Sequence, residues 1–381
     1  MSEFETDCVH GAGGPDPQTG AVVPNVSLSS TFAQDAVGKH SGFEYSRSGN
    51  PTRAALERHV ALLEGASQGF AFSSGLAAED AVLRMLAPGD ALLLSDDAYG
   101  GTFRLARQVH APTGLVVATT DLTDIDAVRA AWTDTTKLVW IETPTNPLLR
   151  IVDIEAVAAY AHERGALVAV DNTFATPALQ QPLALGADLV LHSSTKYLGG
   201  HSDVVGGFVA TNDAAIGERI GFIQNAAGAV PGPFDSYLVH RGCRTLHLRM
   251  ERHCENAAVV AEMLSSHPAV ASVLWPGDPD HPGHEVAARQ MRGFGGMVSL
   301  RMRGGVAAAR ALCESTEVFT LAESLGAVES LIEHPGLMTH SSVSGTANEV
   351  PDDLVRLSVG IESASDLVAD LEAALASIPT D

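Results

Sequence analysis

Short, unbroken apolar runs alternate with helical patterns through most of this chain, and that alternation limits the fold more than any other feature. The runs are GFAFSS, DALLLSDD, GLVVAT, KLVWIE, ALVAVD, ADLVLHSS and VVGGFVAT. Among them lie GLAAEDAVLRMLA, DIDAVRAAW and DIEAVAAYAHERG, whose apolar residues recur at helical spacing. Strands that are apolar throughout, rather than alternately polar, belong to a sheet covered on both faces and largely parallel. An α/β domain is expected over about residues 51–240.

The flanks read differently. Residues 1 to about 50 are rich in Gly, Pro, Ser and Asn (GAGGPDPQTGAVVPN, then SGFEYSRSGNPT) and show few apolar periods. Such an arm is expected to lie on another surface. Regular structure is predicted to begin with TRAALERHVALLEGA, opened by Pro51. From Ser236, SYLVHRGCRTLHLRMERHCENAAVVAEMLSSHP reads as one long helical pattern. ASVLW, MVSLRMR, TEVFTLA and DLVRLSV, with helices GVAAARALCES and SASDLVADLEAAL, then predict a smaller C-terminal α/β domain over about 241–381. A chain of 381 residues has room for two cores, since single cores stop growing at roughly 250–300 residues.

Charge narrows the partners. The chain carries 23 Lys+Arg against 46 Asp+Glu, a formal net charge of −23. That surface repels nucleic-acid phosphates and anionic lipid heads, so neither is an expected partner. The basic residues are scattered, with Arg241, Arg244 and Arg249 as the densest group. In so acidic a protein, a few arginines suit small carboxylate or phosphate ligands. The four cysteines form no C-x-x-C pair, and no apolar run approaches the length of a membrane span. The start, MSEFETDCVH, has no signal-peptide pattern, and a reducing cytoplasm is the expected location.

Ligands of open α/β sheets bind beyond the carboxyl ends of the strands. Several runs end there in polar groups: Ser73–Ser74–Gly75, Asp96–Asp97 and Tyr99, Glu142 to Asn146, Asp171–Asn172, and Ser193 to Lys196. One shared site is the economical reading. Lys196, at the end of a buried strand, is expected to be partly desolvated; desolvation lowers an ammonium pKa, and a neutral amine attacks aldehydes. Alone, a strand-end lysine is more commonly a plain surface position. Its neighbours favour chemistry. Ser74–Gly75–Leu76 opens a helix whose amides suit a phosphate. Asp171 suits a pyridinium nitrogen, although a turn cap is its ordinary alternative.

The segments YSRSGNPTR, SSGLAA, DDAYGGT, ETPTNP, VDNTFATP, SSTKYLGGHSDVVGG and LAESLGAVESL resemble the motifs of the Cys/Met-metabolism pyridoxal-phosphate (PLP) enzymes, the cystathionine γ-synthase/γ-lyase family. The resemblance runs from Val23 to about Leu371. It implies the fold type I PLP-dependent transferase architecture, aspartate-aminotransferase-like, with a large mostly parallel sheet domain and a smaller C-terminal α/β domain. It makes Lys196 the Schiff-base lysine and proton shuttle, Asp171 the ring-nitrogen partner, and Tyr99 the stacking and acid/base residue. Ser74, Gly75, Leu76, Ser193 and Thr195 would hold the phosphate, with Asn146 near the ring hydroxyl. Tyr45 and Arg47 would come from the neighbouring subunit of a homotetramer built as a dimer of dimers. Arg356 would bind the substrate carboxylate, and Ser324, Glu323, Arg104 and Glu44 would border the substrate.

His281 and His284 do not form a zinc pattern, and GAGG and GFGG do not complete a dinucleotide fingerprint, so no metal or nucleotide is expected. The expected substrate is a small sulfur amino acid. By resemblance the leading activity is cystathionine γ-lyase, with cystathionine γ-synthase as the alternative and methionine γ-lyase third. A non-catalytic binder on the same fold is the competing class. Glu323, before Ser324, suits a substrate with a distal ammonium group; pairing with a nearby arginine is its other reading.

Overall fold

In the computed structural model, residues 2–11, 13–339 and 350–378 are described. Fourteen strands fall into three sheets. A small exposed pair, β1 (Gln34–Ala36) and β2 (Lys39–His40), lies in the N-terminal segment. The large sheet holds β3 (Gln68–Phe72), β4 (Ala91–Ser95), β5 (Val116–Thr120), β6 (Thr136–Glu142), β7 (Leu167–Asp171), β8 (Leu189–His192) and β9 (Gly207–Thr211). The third holds β10 (Val270–Leu274), β11 (Met297–Met302), β12 (Thr320–Leu321), β13 (Leu331–Glu333) and β14 (Leu354–Ser358).

The large sheet has the order β3-β9-β8-β7-β6-β4-β5. Its strands pair parallel except at β9, which runs antiparallel to both β8 and β3. Two antiparallel steps restore direction, so β3 ends at the same edge as β7 and β8. Successive residues of the apolar runs serve opposite faces. Leu92, Leu94, Leu138 and Trp140 join one buried cluster, while Leu93, Val139, Ile141, Val168 and Val170 join another. Each such aliphatic side chain contributes about 1.5–3 kcal/mol when buried. That two-sided burial is why the runs are not alternately polar.

Helices follow the same logic. The first, α1 (Phe4–His10), buries Cys8 completely. It belongs to one apolar cluster with Leu56 and Val60 of α2 (Pro51–Leu63) and Met250. Phe4–His10 therefore help build the core of their own chain, and the loose arm begins after them. Asn50 caps α2: its Oδ1 accepts from Thr52 N at 2.9 Å and Arg53 N at 3.2 Å, with Pro51 in the first turn. The same first turn grips the arm. Asn50 Nδ2 donates to Ser27 O at 2.9 Å, and Arg53 Nη1 to Ser46 O at 2.7 Å.

The long helical pattern after residue 235 proves to be two helices, Pro233–Cys243 and Leu246–Ser266. A Cβ at Gly242 would stand 2.2 Å from Gly199 O, so glycine lets the first helix touch the turn that follows Lys196. Arg249 is not an anion site. It is buried, and it donates from Nη1 to Tyr197 O at 2.7 Å and from Nη2 to Gly242 O at 2.8 Å, fixing that turn. No described helix is long and apolar enough to cross a membrane.

Candidate active site

The carboxyl edge of the large sheet meets the third sheet around a cavity of about 230 Å³. The sheets bring to it most of the residues picked out from the sequence: Ser74, Gly75, Leu76, Tyr99, Asn146 and Asp171 from one part of the chain, Ser193, Thr195 and Lys196 beyond β8, and Glu323, Ser324 and Arg356 from the third sheet.

Lys196 lies four residues past β8. Its Nζ donates to Ser324 Oγ at 2.8 Å. Burial, and then the Arg356 guanidinium, push its pKa down to about 8; Glu333 and Glu323 pull weakly the other way. Ser324 holds φ at 91°, in the left-handed region that side chains seldom adopt. Such strain is found where a side chain must be aimed.

Arg356 sits on β14, opposite Glu333 on β13. The two are buried and paired at 3.1 Å. Arg356 Nη1 donates to Asn146 Oδ1 at 2.9 Å and Nη2 to Ser324 O at 2.8 Å. Its buried Nε has no acceptor among the described residues. A planar guanidinium held at three points, with one donor left over, is set for a carboxylate.

Asp171 ends β7 and Glu142 ends β6, side by side in register. Asp171 Oδ1 accepts from Thr173 N at 3.0 Å, the turn-cap geometry. With that bond made, Asp171 still lines the cavity. Burial raises the pKa of both acids. Glu142 Oε2 accepts from Tyr99 N at 2.8 Å. Tyr99 precedes the helix α4 (Gly100–Arg104), and a Cβ at Gly101 would stand 2.3 Å from its ring. Burial keeps the phenol protonated by raising its pKa.

Ser74 caps α3 (Gly75–Leu83) by accepting from Ala77 N at 3.1 Å. The amides of Gly75 and Leu76 are left without a protein acceptor among the described residues. A Cβ at Gly75 would come 3.0 Å from Ser193 Cβ, so glycine lets the helix start close against the turn before Lys196. Thr195 Oγ1 accepts from Gly206 N at 3.0 Å, which holds that turn in place.

Four expected residues do not line the cavity of their own chain. Tyr45 and Arg47 are exposed on the arm, where Arg47 Nη1 donates to Asn225 O at 2.7 Å. Glu44 pairs with His40 at 2.9 Å. Arg104 is exposed on α4, and its charge lowers the pKa of Tyr99 and Glu79. Glu323 is exposed at the rim, and its carboxylate forms no ion pair among the described residues.

Sequence reasoning missed other groups. Glu79, Thr173, Phe174 and Leu325 also line the cavity. Glu79 was findable, because it stands four residues after Gly75 in an apolar helix and so shares its face. Beyond the end of β7, the buried side chains of Glu64 and His192 are hydrogen-bonded to each other. Asn172 Nδ2 donates to the same Glu64 Oε1 at 3.0 Å.

A family model for Cys/Met metabolism PLP-dependent enzymes matches residues 5–376. The chain is 62% identical over 372 residues to a cystathionine gamma-synthase of Mycobacterium tuberculosis, covering 97% of this chain and 96% of that protein. It is 52% identical over 378 residues to a cystathionine beta-lyase of Lactococcus lactis, covering 98% and 99%. A crystal structure of cystathionine gamma-lyase from Lactobacillus plantarum, complexed with L-serine, superposes with a TM-score of 0.96 at 49% identity, covering 99% of both chains. The fold, the cavity and these matches agree, and the chain belongs to the Cys/Met metabolism family of PLP-dependent enzymes.

Proposed function

We propose that this trans-sulfuration enzyme works at the γ-carbon of a four-carbon amino acid, joining an O-acylhomoserine to L-cysteine as a cystathionine γ-synthase. The sequence motifs leaned towards the γ-lyase. The 62% identity to a γ-synthase over nearly the whole chain favours the synthase direction. The observation that carries the substrate class is the pair formed by Arg356 and Glu323. One offers a buried donor for a carboxylate, and the other an unpaired carboxylate at the rim for an ammonium group. Cysteine and cystathionine both bring an ammonium to that rim.

The residues fit the family's cofactor. The free amides of Gly75 and Leu76, with Ser193 and Thr195, would hold its phosphate. Asp171 would face its ring nitrogen, Lys196 would hold it covalently, and Tyr99 would lie on its ring. Pyridoxal phosphate, when bound, supplies the electron sink that lets protons leave the α- and β-carbons. Lys196 does the moving of those protons. With a pKa near 8 it is part neutral at physiological pH, and Ser324 Oγ keeps its Nζ aimed into the cavity. Tyr99 keeps its phenolic proton and can release it to the departing acyl oxygen. Arg356 fixes the α-carboxylate, and Glu323 orients the incoming cysteine by its amine.

A second reading, the γ-lyase, is supported by the close match to the Lactobacillus plantarum enzyme. Purified protein given an O-acylhomoserine and cysteine should form cystathionine faster than it degrades cystathionine. Release of cysteine, 2-oxobutanoate and ammonia as the faster reaction selects the γ-lyase. Release of homocysteine and pyruvate overturns γ-carbon chemistry altogether.

A further inference from the structure

Besides Glu323 at the exposed rim, three carboxyls line the cavity, those of Glu79, Glu142 and Asp171. Its cations are Lys196 and Arg356, and Arg356 is already paired with Glu333. Glu142 is satisfied by the Tyr99 amide, and Asp171 by the Thr173 amide. Glu79 differs. It is only 5% exposed, on the face of α3 one turn beyond Gly75, and its buried Oε2 has no partner among the described residues. An ionised carboxylate left without a donor at such a depth is costly. A neutral carboxyl avoids most of that cost, and it gains an O–H that can donate.

We propose that Glu79 stays protonated in the working enzyme and acts as a neutral hydrogen-bond donor beside Asp171, so that the ring-nitrogen end of the cavity carries one negative charge there and not two. The proposal rests on Asp171 being the ring-nitrogen partner. It makes Glu79 a positioning residue, since it acts through Asp171.

The electrostatics agree. Burial raises the Glu79 pKa to about 8, with repulsion from Asp171 next, and these outweigh help from Thr102 and from Arg104 on α4. Glu142 on β6 and Tyr99 also feel Glu79's charge and add no cation to its surroundings. His192 on β8 bears on Asp171 and favours its ionised form. Burial and the charge of Asp171 thus both favour the protonated form of Glu79.

The test is infrared difference spectroscopy on the holoenzyme, wild type minus Glu79→Gln, over pH 6–9. The expected result is a protonated-carboxyl carbonyl band in wild type, absent from the variant, that fades as pH rises through about 8. A difference that shows an ionised carboxylate at pH 6 overturns the proposal. If the glutamine variant does not fold, the wild-type titration decides: no acid band titrating near pH 8 overturns it equally. Cofactor affinity gives a second readout. Glutamine keeps a donor and should bind PLP nearly as wild type does, whereas Glu79→Leu should bind about tenfold more weakly, the loss expected for one hydrogen bond. Equal affinity in both variants counts against the donor role. The infrared band reports on Glu79 alone, and loss of cofactor absorbance in Asp171→Asn tests the ring-nitrogen reading separately.

Discussion

Lys196 and Ser324 join the two sheets across the cavity: an amine from beyond β8 donates to a hydroxyl whose backbone is held at φ 91°. Neither sheet positions that amine alone. With its pKa lowered to about 8, the neutral fraction of Lys196 grows as pH rises towards that value and then saturates. The rate at which apoenzyme captures PLP should rise about tenfold per pH unit below 8 and level off above it, since the neutral amine is the nucleophile. Stopped-flow absorbance follows this directly. Lys196→Ala should neither capture the cofactor covalently nor turn over; substantial turnover by the pure variant without added amine removes the lysine from the mechanism.

Arg356 and Glu333 form a buried ion pair. Arg356→Ala leaves Glu333 without its cation, and breaking such a pair costs about 3–5 kcal/mol. Denaturant unfolding should show that loss. Arg356→Lys keeps a charge but cannot bond Asn146, Ser324 and a substrate carboxylate together. It should fold, hold the cofactor and raise KM by at least about tenfold. An unchanged KM places the substrate carboxylate elsewhere.

Arg47 and Tyr45 lie exposed outside the cavity of their own chain, and the prediction that they serve a neighbour's site is testable. Arg47→Ala should weaken PLP retention. Mixing Arg47→Ala with Lys196→Ala subunits should restore activity above either parent, because a hybrid dimer then contains one site with both residues intact. Verified hybrids with no recovery reject a site built across subunits.

Glu323 is exposed and forms no ion pair among the described residues, so its effect is on specificity rather than stability. A charge-assisted hydrogen bond contributes about 1.5–3 kcal/mol. Solvent at the rim brings that to the low end, about tenfold. Glu323→Val should lower kcat/KM for cysteine as acceptor and for cystathionine by that factor, and leave methionine cleavage unchanged or better. Equal loss on all three substrates rejects the role.

Lys196, Asp171, Glu142 and Ser193 were legible in the sequence because strand ends are. An apolar run marks where a strand stops, and the parallel sheet collects those stops along one edge. Glu79 was missed although its spacing from Gly75 puts it on the same helix face, because an acid inside an apolar helix reads as a solvent-facing residue until its burial is known. Glu333 emerged only with the register of β13 against β14, which pairs it with Arg356. Arg249 misled, because a scattered arginine looks the same whether it awaits an anion or braces a turn. Docking of α1 depends on little more than Phe4 and Cys8, too few apolar residues to show a period.

The helix α2 ends in two grips. At Asn50 and Arg53 it clasps the arm; just past Leu63, Glu64 holds His192 and Asn172, the latter adjacent to Asp171 in sequence. Thirteen residues at about 1.5 Å each make a rod of roughly 20 Å between them. A load taken up by the arm therefore reaches the ends of β7 and β8 along a stiff strut, without crossing a loop that might absorb it. The arm and the floor of the cavity are thereby placed on one lever.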